Sequence, residues 1–307
     1  MSPAVSAPRS DTVGVRARRR AVVAVSDSKR TPSDAALARE GSGLATDPEA
    51  VQQLREQLPR FVERTLERAG AEGVVVALDG RVGSTVAAVL AIEAVGVDRV
   101  CGLVLPANMN DEASARAAEA VASMLSIEYE RLQLRPLLSA FQRVLGASGE
   151  PADDVVALDN ARERFRMACL YYVANTTDRL VLGSVDRTRR LLGSTTKHGD
   201  DGVDLAPLAP LYHTEVRALA RAVDVPSNIL DRSTRTAGRA DSDPEQLGVD
   251  PETLDEILHA LVDEAQPPAA VAERLAVDRA TVQRVRQWRE TTRHKRRPPL
   301  TPSIDLQ

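Results

Sequence analysis

Val74-Val-Val-Ala-Leu-Asp-Gly-Arg-Val-Gly-Ser-Thr-Val86 decides how this chain folds. An apolar, β-branched run stops at Asp79-Gly80, a polar turn containing Gly83 follows, and Ser84-Thr85-Val86 opens a second apolar stretch that reaches Val95. The pattern reads as strand, turn, helix. In a parallel α/β sheet such a turn lies at the carboxyl end of its strand, where the unpaired N–H groups and positive dipole end of the helix attract anions. Asp79 and Arg81 stand where a phosphate cradle takes small neutral residues. The layout is that of a nucleotide site, with changed residues in it.

Working outward, Asp47-Pro48 caps a helix to about residue 68, with Val51, Leu54, Leu58, Phe61, Val62 and Leu66 on one face. Strands are predicted over 73–78, 100–105, 128–134 and 180–183. Helices are predicted over 84–95, 111–125, 136–145 and 155–175. Strands alternating with helices predict a three-layer α/β/α fold on a parallel Rossmann-like sheet, with the Asp79 and Ser184 turns together at its carboxyl edge. Residues 193–210 show no period. A helix over 213–223 and a polar loop over 231–250 precede a C-terminal helical region at 251–264, 268–276 and 279–292. Residues 1–46 mix Ser, Ala, Pro, Arg and Gly without period and read as a disordered tail, which leaves 47–303 as one folded domain.

The chain of 307 residues carries a net charge of −4, unevenly spread. Residues 1–45 hold eight Arg/Lys against four Asp/Glu, and the remainder holds 32 against 40. An acidic body argues against general nucleic-acid binding. Lysine occurs only at Lys29, Lys197 and Lys295, so each is informative. Cys101 and Cys169 lie in apolar stretches and read as reduced, buried thiols of a cytoplasmic protein. No run reaches membrane-spanning length, and the five or so apolar residues after Arg18-Arg19-Arg20 are too few for a secretion signal.

Several motifs, in order, resemble the ammonia-dependent NAD synthetases, of the adenine-nucleotide-alpha-hydrolase-like α/β group. They are Asn160-x-x-x-Arg164-x-Arg166-Met167-x-x-Leu170-Tyr171-x-x-Ala174-Asn175, Val181-Leu182-Gly183-Ser184 and Gly193-x-x-Thr196-Lys197-x-Gly199-Asp200-x-Gly202-x-Asp204. Leu247-Gly248, Leu254-Asp255-x-Ile257-Leu258 and His294-Lys295-Arg296 follow. The resemblance implies ATP- and magnesium-dependent adenylation of the nicotinate carboxylate of deamido-NAD, followed by displacement of AMP by ammonia. It also implies a homodimer built on helices 111–125 and 155–175.

Carried onto this sequence, the resemblance places dinucleotide contacts at Arg164, Lys197, Asp204, His294 and Lys295, with Lys197 as a candidate catalytic group. Its ATP-loop positions are Asp79, Gly80, Arg81, Val82, Gly83 and Ser84, joined by Ser184, His213 and Thr236. The family's Ser-Gly-Gly-x-Asp-Ser here reads Asp79-Gly80-Arg81-Val82-Gly83-Ser84, and its two metal carboxylates fall on Gly83 and Arg189. That changes the local charge by about three units, each unit pair at contact worth about 4 kcal/mol at an effective dielectric near 20. No metal is therefore expected to bind, and Asp79 is expected to pair with Arg81 or Arg189.

The resulting expectation is a protein that binds deamido-NAD or NAD, needs no cofactor to do so, and has lost most of the ATP-dependent step. The alternative is an active ammonia-dependent synthetase with a rearranged nucleotide loop, using ATP and magnesium. A third reading, a DNA-binding regulator, rests on the helix-turn-helix-like pattern and clustered arginines of residues 271–297.

Overall fold

The computed structural model describes residues 43–231 and 247–302. Strands β1 (Gly73–Leu78), β2 (Val100–Val104), β3 (Glu128–Arg131) and β4 (Arg179–Leu182) form a parallel sheet in the order β3-β2-β1-β4. β1 and β2 are Val-rich and buried along nearly their whole length, as expected of strands covered on both faces. Val74, Val76 and Leu78 join one core with α1 (Pro48–Ala69), α2 (Val82–Val95), α3 (Glu112–Met124) and α7 (His213–Ala222). Val75, Cys101 and Leu103 join another with α4 (Arg135–Ala147) and α5 (Val155–Thr176). Alternate side chains of one strand thus feed opposite layers, and the three-layer α/β/α architecture follows.

The chain steps from β1 outward to β2 and β3, then returns to place β4 on the other side of β1. The reversal leaves a crevice beyond the carboxyl ends of β1 and β4, where open α/β sheets take ligands. β3 is shorter than the predicted 128–134 and wholly exposed. Its Glu128, Glu130 and Arg131 put charge on the sheet edge, which discourages pairing with another chain.

Further differences from the sequence expectation bear on the site and its surroundings. α2 begins at Val82, two residues early. A short helix, α6 (Arg187–Leu192), lies where no element was assigned, because its Arg-Thr-Arg-Arg-Leu-Leu sequence has no usable period and its support is tertiary. Leu44 and Ala45, placed in the disordered tail, are packed: Leu44 lies against the C-terminal core, and Ala45 is buried with its N–H donating to Glu215 Oε1 at 2.7 Å. The rest of the tail, 1–42, and most of the 231–250 loop lie outside the described residues.

After α8 (Ser227–Leu230), the C-terminal helices α9 (Pro251–Val262), α10 (Pro268–Leu275) and α11 (Arg279–Thr291) share a third core with α6, through Leu191, Leu192, Leu254, Ile257, Leu258, Val271, Val282 and Val285. A last turn, α12 (Arg293–Arg296), follows. No helix among the described residues is long and apolar enough to cross a membrane.

Candidate nucleotide site at the sheet switch point

The β1–α2 turn is fixed by its own side chains. Gly80 has φ +72°, and a Cβ there would lie 2.7 Å from Ala117 Cβ and 3.0 Å from Ala118 N, so glycine lets the turn pass against α3. Asp79 Oδ1 accepts from Ser84 Oγ at 2.5 Å and from Arg81 N at 3.0 Å. Arg81 Nε lies 3.8 Å from Asp79 Oδ2, so the two opposite charges of the turn face one another, as expected. Gly83 opens the first turn of α2 against the neighbouring loop, where an added Cβ would sit 2.9 Å from Ser184 O. The Asp79 and Ser184 turns are therefore side by side at the carboxyl edge.

Opposite them stands α6. Asp186 caps it by accepting from Arg189 N at 2.8 Å, and Asp186 Oδ2 meets His213 Nδ1 at 3.2 Å. Burial opposes both charges, yet the hydrogen bond between them wins: Asp186 is held below, and His213 above, its ordinary pKa. Arg189 does not pair with Asp79. Its Nη2 binds Asp200 Oδ2 at 2.9 Å, and Asp200 Oδ1 accepts from Thr196 N at 2.7 Å. The Arg189–Asp200 pair thereby ties α6 to the Gly-rich 193–204 loop.

α5 supplies the remaining wall, through Arg166 of the long-helix motif and through Asp159, Arg162 and Glu163, which that motif does not name. Asp159, Arg162, Glu163 and Arg166 fall at helical spacing on the cleft side of α5. Arg162 pairs with Asp159 at 2.6 Å and Arg166 with Glu163 at 2.6 Å. Arg166 also reaches Asp111 Oδ2 at 3.1 Å and Leu105 O at 3.1 Å. Burial raises the pKa of Glu163, with Arg166 opposing. The i,i+3 acid–base repeat was visible in the sequence, but only the β4–β1–β2 order places it over the cleft.

The residues assigned to the dinucleotide come together in part. Arg164 Nε donates to Lys197 O at 3.3 Å, and Lys197 Nζ donates to His294 O at 3.3 Å. Lys295 Nζ donates to Gly193 O at 2.6 Å, at the other end of the same loop. Asp204 stands apart, at the end of the loop beside β4, accepting from Tyr171 OH at 3.1 Å and Val181 N at 2.8 Å. His213 is turned to Asp186 and does not line the cleft. Thr236 lies outside the described residues.

The basic segment after α10 is no loose tail. Trp288 Nε1 donates to Leu192 O at 3.1 Å and Arg296 Nη1 to Leu191 O at 2.6 Å. These donors satisfy the last carbonyls of α6, which ends at Gly193 in the left-handed region.

The positions at which the resemblance puts metal carboxylates do not fit a hard cation. One is Gly83, pressed against Ser184 O, and the other is the guanidinium of Arg189. Among the described residues, no group of three or more His, Cys, Asp or Glu side chains is placed to hold a metal ion.

A crevice at a parallel-sheet switch point, entered by a glycine-bearing helix N-terminus and flanked by a Gly- and Asp-rich loop, defines an open-sheet α/β protein of the kind that takes ligands beyond its strand ends. The comparisons narrow this class. The chain matches NAD synthase over residues 54–299. It is 36% identical over 249 residues to the NH(3)-dependent NAD(+) synthetase of Halobacterium salinarum, covering 81% of this chain and 92% of that one. It is 36% identical over 251 residues to that of Thermococcus kodakarensis, covering 81% and 96%. Among solved structures, NMN synthetase from Francisella tularensis superposes with a TM-score of 0.71 at 28% identity, over 83% of this chain and 99% of that one. The NH3-dependent NAD synthetase of Campylobacter jejuni superposes with a TM-score of 0.68 at 23% identity, over 82% and 99%, and shows the shared fold. The chain belongs to the NAD synthase family.

Proposed function

We propose that this chain forms NAD by amidating the nicotinate carboxylate of deamido-NAD with ammonia at the expense of ATP. The observation that carries this reading is 36% identity along 92% of a relative named for the ammonia-dependent reaction. The geometry supports it. A carboxylate oxygen attacks the α-phosphorus of ATP in the crevice beyond β1 and β4 and pyrophosphate leaves; ammonia then attacks the acyl carbon, AMP leaves, and the amide forms with loss of a proton. The protein's contribution is to hold carboxylate and α-phosphorus in line and to keep water from the mixed anhydride. Arg164 and Lys197, linked through the backbone carbonyls of Lys197 and His294, would on this reading hold the anionic dinucleotide.

Gly83 and Arg189 favour a second reading, in which the chain binds the dinucleotide without turning it over. Incubation with deamido-NAD, ammonium and ATP distinguishes the two. Equimolar NAD and AMP support the first reading, whereas dinucleotide binding by calorimetry with no NAD formed leaves the second.

A further inference from the structure

We propose that Arg189 takes the part of a divalent cation in the switch-point cleft, so that a nucleoside triphosphate binds there without metal. The inference rests on the amidation reading and deepens it.

Three features carry it. First, Gly83 leaves no room for a metal-binding carboxylate, since even a Cβ would lie 2.9 Å from the backbone oxygen of Ser184. Second, Arg189 is positioned rather than loose. Asp186 holds its backbone N–H, and both side-chain hydrogen bonds run from Nη2, to Asp200 Oδ2 at 2.9 Å and Ser194 O at 3.4 Å. Nε and Nη1 are left for ligand oxygens, and the side chain, 38% exposed, lines the same cleft as Asp79, Arg81 and Ser184. A guanidinium offers a planar fork of donors matched to phosphate and carries its charge at any working pH. Third, Asp79, the anion nearest the α2 N-terminus, is already held by Ser84 Oγ, Arg81 N and the Arg81 guanidinium. Its charge is met within the turn, and Arg81 joins Arg162, Arg166 and Arg189 among the guanidinium groups of the cleft wall.

The test is calorimetric titration of the full chain with ATP, once in excess EDTA and once in magnesium. Metal independence requires dissociation constants within ~threefold of one another, and Arg189→Ala must weaken binding in EDTA by ~tenfold or more, with Arg189→Lys retaining part of it. A larger EDTA effect, no ATP binding in either arm, or full-strength binding by Arg189→Ala overturns the proposal. The wild-type comparison needs no variant to fold. NAD formation is measured separately. ATP binding in EDTA with no NAD formed sinks the amidation reading alone, whereas NAD formation abolished by EDTA and restored by magnesium sinks metal independence alone.

Discussion

Gly80 is the residue on which the β1–α2 turn depends. It needs both a left-handed backbone and the absence of a Cβ against α3. Gly80→Ala should lower the unfolding free energy by about 2 kcal/mol, read in urea, because the displaced atoms include helix backbone rather than a flexible tip. An unchanged urea midpoint would mean that α3 yields. Asp255 makes the second prediction. It is buried and accepts from Thr188 Oγ1, Thr214 N and Thr214 Oγ1, yet burial outweighs these donors and lifts its carboxyl to about 6. Its folded pKa exceeds its unfolded one, so the linked stability is full below the unfolded value near 4 and disappears as pH rises through about 6. Relative to Asp255→Asn, the wild-type protein should lose on the order of 2 kcal/mol between pH 4 and 6. A difference that stays flat over that range would remove the assignment. At this scale the sequence told residue types and spacing but not partners. It showed that Asp79 needed a cation nearby, and could not tell Arg81 from Arg189, because Asp200 is remote from both in the β1–α2 reading.

Among the elements, β1, β2 and the helices around them were legible because their apolar runs leave few choices. α6 was not, and it bears Arg189. Its six residues are held by Asp186 at one end and by Trp288, Lys295 and Arg296 at the other, all outside the helix. Trp288→Phe keeps the ring and deletes one donor to Leu192 O. It should cost about 1 kcal/mol in unfolding free energy. The same variant should speed hydrogen exchange across 187–204 more than across β1, measured by mass spectrometry. Equal exchange in both segments would show that the cap does not govern the loop. The nearness of β1 and β4 was expected from the Asp79 and Ser184 turns, whereas the place of β3 was not, since parallel strands of similar hydrophobicity carry no mark of which neighbour each will take.

At the scale of the whole molecule, several large apolar side chains among the described residues stay outside its cores. α4 leaves Leu137 and Val144 exposed, and α5 leaves Val155, Val156 and Tyr172 exposed, while α3 offers only Met124 among its large apolar side chains. The homodimer expected from helices 111–125 and 155–175 is proposed to use α5 (155–176) together with α4. Isologous pairing would bury these side chains twice over. Light scattering at micromolar concentration should give a dimer, and Val144→Lys with Val155→Lys should shift it to monomer without lowering the thermal midpoint by more than a few degrees. A monomeric wild-type protein would count against the face. This much of the molecule was only partly legible, because helix periodicity shows which residues are apolar and not which of two helix faces the sheet will cover.

The cap on α6 also imposes an order on the birth of the protein. Arg189 and Lys197 leave the ribosome about a hundred residues before Trp288, Lys295 and Arg296, which hold their helix and loop in place. During synthesis the sheet and its first layers can assemble while the 193–204 loop still lacks its clasp. The crevice is completed by residues 288–296, and a chain ending before Trp288 would carry every strand yet present an unfinished mouth.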